Sequence, residues 1–278
     1  MKHHRRYQAV IGAALVLGFG AAQRSSADDG GYFSYRLAKG QRFSHLVAST
    51  DSIRGEGFAE LVTRNSGSIV YTVLDPDPRQ PVLDVSFRFD GGIEGDVKKR
   101  VRDSGRTLCE VSGYGDETGD THGDGGEGGG CVTITDATSY LFLNSLLWGT
   151  PPAQLHMGTS WTVDIPQAWT LGPAGTQTVR VISLDPATRS ITLLREGRGT
   201  GFSTKQGPDV TLMYAGTAVT ARIVPGLSQW TGYATIREGV VVHDELMITR
   251  PVTLVTKDHG EIRAEERQYA LLSETPPG

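Results

Sequence analysis

The residue types best suited to chemistry lie in a glycine-rich stretch at 114–130. Its candidate metal ligands are Asp116, Asp120, His122, Asp124 and Glu127. Ca²⁺ takes about six to eight oxygen ligands, which carboxylates supply. The spacing differs from that of the EF-hand loop, and glycine-rich calcium repeats need several copies, which the chain does not contain. We therefore expect 114–130 to be a disordered, solvated acidic loop, with a calcium site there as the alternative.

A second group of titratable residues, His243, Asp244 and Glu245, falls on a predicted strand. Alternation places His243 and Glu245 on one face of that strand and Asp244 on the other. A general base must reach a nucleophile, and the sequence contains neither a Gly-x-Ser-x-Gly elbow nor a His-Glu-x-x-His helix. We interpret the three residues as ordinary residues of solvated faces and predict no catalytic residue, cofactor or metal ligand. The same interpretation covers the isolated histidines His45, His156 and His259.

A glycine-rich segment at 197–201 follows a predicted strand, as a nucleotide-binding loop would. No helix follows it to direct N-terminal amides at a phosphate, and residues 202–209 are typical of a loop. We therefore interpret 197–201 as a flexible connection.

All four tryptophans lie in the C-terminal half of the chain: Trp148, Trp161, Trp169 and Trp230. Indole rings offer large contact areas to apolar ligands. Trp148 and Trp161 are therefore our candidate pocket residues for an apolar small molecule. Packing in the core is the alternative.

The elements that would position these residues are mainly strands. In segment 82–90, Leu83, Val85, Phe87 and Phe89 alternate with polar residues, which is typical of an antiparallel strand with one buried face. Segment 33–37 has the same period.

Turn-forming residues separate further apolar segments at 65–67, 185–190 and 237–239. Together these patterns predict a curved antiparallel meander sheet, half-barrel or sandwich-like, of about ten to thirteen strands.

One short buried helix is predicted near 137–148, because 140–148 is almost wholly apolar and Gly149 and Pro151 follow it. Segment 261–272 contains many helix-favouring residues. It follows a predicted turn, however, and we interpret it as a returning strand.

The first 27 residues have the pattern of a secretory signal peptide. Lys2, Arg5 and Arg6 precede an uncharged apolar run at 9–19, and small residues allow cleavage after Ala22 or Ala27. The run is shorter than the roughly twenty residues that span a bilayer. We therefore expect a periplasmic or secreted mature chain, 28–278, that is a single β-rich domain without a transmembrane segment.

The two cysteines, Cys109 and Cys131, are expected to form one disulfide in such an oxidising compartment. They flank the acidic loop and would join its two ends.

The charge balance disfavours nucleic acid and anionic lipid as partners. The chain has 27 Lys and Arg and 31 Asp and Glu residues, and four of the basic residues but no acidic one lie in the predicted leader. The mature chain therefore keeps 23 basic against 31 acidic residues, a net charge of −8. A field of that sign repels phosphate groups.

The function most consistent with these features is non-enzymatic binding or carriage, of an apolar ligand, in the bacterial cell envelope. The predicted layout of a curved sheet around a buried helix is similar to that of periplasmic lipoprotein and lipid carriers. This likeness is one of architecture without a shared motif. A structural or protein-interaction component of the envelope is the alternative, and a hydrolase with a scattered site is a third.

Overall fold

The computed structural model describes residues 31–77, 80–102, 107–110, 131–133, 145–204 and 209–275. The predicted signal peptide at 1–27 and the predicted acidic loop at 114–130 lie outside the described residues. So do residues 137–144 of the predicted helix.

In the described part of the chain, fourteen strands form one antiparallel sheet, which confirms the predicted mainly β fold. The first strands are β1 (Arg42–Gly55), β2 (Leu61–Asp75), β3 (Val82–Phe89), β4 (Ile93–Arg102), β5 (Thr107–Glu110) and β6 (Cys131–Thr133). A short helix follows, α1 (Ser145–Trp148). The remaining strands are β7 (Ser160–Ile165), β8 (Gly175–Asp185), β9 (Ser190–Thr200), β10 (Asp209–Tyr214), β11 (Thr217–Pro225), β12 (Leu227–Arg237), β13 (Val240–Thr256) and β14 (Gly260–Glu274).

The strand order describes two meanders that meet where β1 pairs with β14. From β1 the sheet continues in sequence order to β6, and from β14 it continues through β13, β12, β9 and β8 to β7. Strands β6 and β7 stand at opposite ends of this order, so the sheet is open. All the described strands belong to this one sheet, and its open form agrees with the predicted curved meander.

Strand β13 is long enough to pair with two strands in a row. Its first part pairs with β12 and its last part with β11, and these two neighbours are separated only by Gly226. The N–H of Gly226 donates to the carbonyl of Pro251 at 2.8 Å, which keeps the ladder nearly continuous. Strand β10 then pairs with β11.

One face of the sheet, which we call the inner face, carries the core. The largest cluster of buried apolar side chains joins α1 to β7, β8, β9, β12, β13 and β14, and includes Trp169 and Trp230. A second cluster covers β1 to β3, and a third lies where β10 and β11 meet the far ends of β13 and β14. Leu147 and Trp148 of α1 are buried in the first cluster, as the prediction of a buried helix requires.

Two predicted hairpins and the returning strand are confirmed. Residues 185–190 connect β8 to β9, and 237–240 connect β12 to β13. Glu238 and Gly239 have positive φ of 52° and 82°, as a two-residue primed turn requires. Segment 261–272 lies within β14.

Two local predictions are wrong. Segment 33–37 forms no strand, although Phe33, Tyr35 and Leu37 pack against the core from a loop. The predicted turn at 65–67 lies inside β2. Position 67 has no room for a side chain, because β3 approaches it closely. A Cβ there would lie 2.5 Å from the carbonyl oxygen of Arg88.

The predicted flexible connection at 197–201 is also wrong, because residues 197–200 belong to β9. Gly197 lies under the ring of Trp230, and Gly199 faces the carbonyl of Ala174. Close packing accounts for these two glycines, so they are no sign of mobility. In the described part of the chain, no helix has the length and hydropathy needed to cross a membrane.

Candidate functional site

A groove of about 420 Å³ runs along the inner face where the two meanders meet. Its apolar lining includes Val47, Phe89, Ile93, Leu171 and Ala270. Its polar lining includes Asp51, Thr63, Asn65, Ser203 and Gln268. A volume of this order, with both apolar and polar residues in the lining, is within the size range of sites for small organic molecules.

Strand pairing brings two polar groove residues, Asp51 and Gln268, next to a buried ion pair outside the groove lining, Arg250 and Glu266. Asp51 of β1 lies directly opposite Gln268 of β14, and Glu266 of β14 lies opposite Arg250 of β13. Because side chains alternate along a strand, all four share the inner face. Two of these strands, β1 and β14, come from opposite ends of the described chain.

Two loops complete the groove by crossing the inner face. They carry Leu171 and Ser203, and they are tied together because the N–H of Thr204 donates to the carbonyl of Trp169 at 2.9 Å. The indole N–H of Trp169 donates to the carbonyl of Pro173 at 3.0 Å, which fixes the first loop. The loops therefore hold Leu171 and Ser203 against β1 and β14.

A buried network of hydrogen bonds connects the polar residues beneath the groove. Arg250 donates to both carboxylate oxygens of Glu266, from Nε at 2.8 Å and from Nη2 at 2.7 Å. Both side chains are 1% exposed. The Nε2 of Gln268 donates to Glu266 Oε1 at 2.7 Å and to Asp51 Oδ2 at 3.4 Å. Charge-assisted, two-point pairs of this kind fix geometry strongly.

The carboxyl of Asp51 has an unusual electrostatic environment. Burial, followed by the negative charge of Glu266, raises its pKa to about 6, against the opposing effects of Arg250 and of the hydrogen bond from Gln268. Three ionisable groups thus share the network, with one positive and two negative charges when Asp51 is ionised. Among these three groups, the negative charges then exceed the positive charge by one.

Several buried polar atoms of this region have no hydrogen-bond partner among the described residues. They are Asp51 Oδ1, Gln268 Oε1, Ser203 Oγ and Arg250 Nη1. The orientation of the Gln268 amide follows from its neighbours, because two carboxylates require the NH₂ side. Buried groups without partners are uncommon in native proteins and mark places where a ligand or water completes the structure.

We expect Asp51→Asn to raise the free energy of unfolding by about 1 kcal/mol at about pH 7.5, after allowance for partial solvent exposure of the carboxyl. The pKa of Asp51 is higher in the folded protein than in the unfolded chain, so the ionised carboxyl destabilises the fold above about pH 6. As the pH falls through that value towards about 4, the folded state takes up a proton and the wild type regains this stability.

Urea unfolding at about pH 7.5 and about pH 4.5 measures this difference. The matched control is Asp164→Asn, which changes an exposed aspartate on β7. The explanation fails if Asp51→Asn is no more stable than wild type at the higher pH.

A second buried ion pair joins β9 to β13. Arg195 Nη2 donates to Asp244 Oδ1 at 2.8 Å, and the guanidinium lies 4.4 Å from the ring centroid of Trp148. Burial lowers the pKa of Arg195, while Asp244 acts in the opposite direction. The interpretation of Asp244 as a residue of a solvated face is therefore wrong, although the predicted alternation holds. His243 and Glu245 are partly exposed on the outer face, where His243 Nε2 lies 3.8 Å from Glu245 Oε2.

The interpretation of His45 as a solvated residue is also wrong. Its side chain is fully buried, and Nε2 lies 3.0 Å from the carbonyl oxygen of Val241. Burial lowers its pKa, so the ring is neutral at physiological pH. His156 and His259 are exposed, as predicted.

The two candidate pocket tryptophans are in contact with each other. The indole N–H of Trp161 donates to the carbonyl of Trp148 at 2.8 Å, and Trp148 is only 2% exposed. The groove is lined by other residues. A ligand pocket at Trp148 and Trp161 stays a prediction.

Sequence reasoning did not identify Asp51, Arg250, Glu266 or Gln268. The available signal was the alternation of side chains along β14. It places Glu266 and Gln268 on the same face of the strand as the buried apolar residues. Those buried residues are Ile262, Ala270 and Leu272. Polar residues at strand positions whose side chains face the core predict an internal hydrogen-bond network. Strand pairing was needed, however, to identify their partners.

No known family model matches the chain, and no characterised protein matches its sequence. The groove and the physical character of its lining are therefore the features of this molecule that bear on its function.

Proposed function

We propose that this chain is a non-enzymatic binding or carrier protein of the bacterial cell envelope, periplasmic or secreted, and that the inner-face groove holds its ligand. The observation that carries the proposal is the combination of apolar walls with buried, unpartnered polar atoms in one concavity of about 420 Å³. Apolar lining provides affinity for the body of a small molecule, and a few fixed polar groups orient it.

Native mass spectrometry on protein purified without detergent from its own host tests this proposal. We expect an additional mass, of the size of a small lipid or comparable molecule, that is released on denaturation. Ile93→Glu, which places a charge on a groove residue that is 63% exposed, should reduce the retained mass. The matched control is Met157→Glu, since Met157 is 61% exposed and does not line the groove. A clean apo mass, with no binding of hydrophobic dyes, would refute the proposal.

Export and the predicted disulfide belong to the same proposal. Cys109 of β5 and Cys131 of β6 lie directly opposite each other in the antiparallel ladder. Such pairs have Cα atoms about 4.5 to 5.5 Å apart, within the range of about 4.4 to 6.8 Å that a disulfide spans. The side chains of both cysteines lie outside the described residues, and the register of the backbone supports the bond.

We expect exported protein to contain no free thiol when it is purified without reductant. Alkylation under denaturing conditions should leave its mass unchanged, and prior reduction should expose both Cys109 and Cys131 to the reagent. Protein made in a reducing cytosol is the control for thiol reactivity. Two alkylated cysteines in the unreduced, exported protein would contradict the disulfide.

A structural or protein-interaction role is the second candidate, and the outer face of the sheet provides its support. Tyr233, Met247 and Tyr269 are 40%, 50% and 37% exposed there, and Met247 lies directly opposite Tyr269. Exposed apolar side chains grouped on one surface are typical of contact sites. Crosslinking in intact cells would favour this role if it gave one dominant protein partner while native mass spectrometry showed no small ligand.

A hydrolase with a scattered site has the least support. The described contacts of His243 are with Glu245, and those of His156 are with Met157 and Thr159. A structure that placed either histidine beside a serine and a carboxylate in a cleft would favour this third role.

A further inference from the structure

We propose that the groove is selective for organic cations, and that a ligand's primary ammonium group binds between Asp51, Gln268 and Ser203 while its apolar part lies along Val47 and Leu171. This inference rests on the proposed binding function and specifies the ligand class. Three properties of the groove support it: its charge, its hydrogen-bond acceptors and its apolar walls.

The charge of the network favours a cation. Arg250 is already engaged by both oxygens of Glu266, so the pair is neutral as a unit. Asp51 adds a second carboxylate without a second cation among its described partners. An ionised carboxylate in a partly buried site is stabilised strongly by an opposite charge nearby. A ligand ammonium would supply the missing charge.

The unpartnered atoms of the groove residues are acceptors. Asp51 Oδ1 and Gln268 Oε1 accept only, and Ser203 Oγ is able to accept. Gln268 is 6% exposed and Ser203 is 5% exposed, so neither side chain is freely hydrated. Gln268 Oε1 is held in place because its NH₂ group is bound to Glu266 and Asp51. A primary ammonium group has three N–H donors and matches three acceptors.

Other ligand classes fit this lining less well. An anion would face the carboxylates of Asp51 and Asp90, which both line the groove, whereas the described lining contains no Lys or Arg. A metal ion lacks a suitable ligand set, because no three His, Cys, Asp or Glu side chains of the described residues are grouped to hold one. The apolar walls formed by Val47, Leu171 and others favour a ligand with a hydrocarbon part.

Isothermal titration calorimetry with three probes of equal chain length tests the inference: n-octylammonium, n-octanol and n-octanoate. At about pH 7.5 we expect wild type to bind n-octylammonium at least about tenfold more tightly than n-octanol, and to bind n-octanoate most weakly. Asp51→Asn should abolish the preference for n-octylammonium over n-octanol. Asp164→Asn, on an exposed part of β7, should keep it.

The outcomes separate this inference from the proposed function. Equal binding of n-octylammonium and n-octanol to wild type, or a preference that persists in Asp51→Asn, would overturn the ammonium site and leave an apolar groove. Tighter binding of n-octanoate would overturn it as well. If no probe binds and the host-purified protein carries no ligand, the proposed binding function fails together with this inference.

Discussion

Arg250→Met is expected to lower the free energy of unfolding by about 3 to 5 kcal/mol, because it removes one partner of a fully buried ion pair. Arg250 and Glu266 are each 1% exposed, so water cannot replace the lost guanidinium. The change also leaves two carboxylates, Glu266 and Asp51, in one buried network. Their mutual repulsion adds to the desolvation of Glu266.

Chemical denaturation of three variants separates charge from packing in this effect. Arg250→Met combined with Glu266→Leu should recover at least half of the loss, since replacing a buried pair by apolar residues is often neutral. Arg267→Met is the surface control, because the Arg267–Glu265 pair is largely exposed, and we expect a change below about 1 kcal/mol. A loss for Arg250→Met no larger than that of Arg267→Met would show that the buried pair is not required.

The second large effect is expected for Gly197→Val, with a loss of about 3 kcal/mol. A Cβ at position 197 would lie 2.4 Å from two ring atoms of Trp230 and 2.6 Å from the Cβ of Gln177. The ring of Trp230 cannot move aside easily, because its N–H donates to Gln177 Oε1 at 2.9 Å and its edge meets Trp169. Overpacking therefore exceeds the gain in strand propensity that valine brings.

Thr178→Val is the control for that variant, since Thr178 lies exposed on the neighbouring strand β8. It introduces the same β-branched side chain at an exposed strand position without a buried contact, so its stability should stay within about 0.5 kcal/mol of wild type. Thermal unfolding compares the two variants directly. Equal stability of Gly197→Val and Thr178→Val would mean that β9 and Trp230 are not packed as described.

Two glycine-containing segments show what a local sequence pattern cannot predict about secondary structure. Both 65–67 and 197–201 contain residues that favour turns, and the sequence alone predicts a turn for one and a flexible connection for the other. The structure places Gly67 and Gly197 inside strands, where a neighbouring strand or ring leaves no room for a side chain. Such close approach depends on residues distant in sequence, which a local pattern does not contain.

The sequence also did not predict which polar residues are buried, because burial too depends on residues that are distant in the chain. Alternation correctly placed Asp244 on one face of β13 and His243 and Glu245 on the other face. It did not predict which face would be buried. The partner of Asp244 is Arg195, on a strand that is not adjacent in the chain. Likewise, Asp51 reaches Gln268 only because β1 pairs with β14. Charge pairing across such distances is set by strand order.

The sequence by itself determined the β class, the confirmed hairpins at 185–190 and 237–240, and strand β14, because hydrophobic period and turn chemistry are local properties. Only the tertiary structure decided which polar residues are buried and that a groove exists. The groove requires strands from both meanders and two loops crossing one face, and no single segment carries that information. The burial and the electrostatic environment of its polar residues depend on neighbours that strand pairing brings next to them.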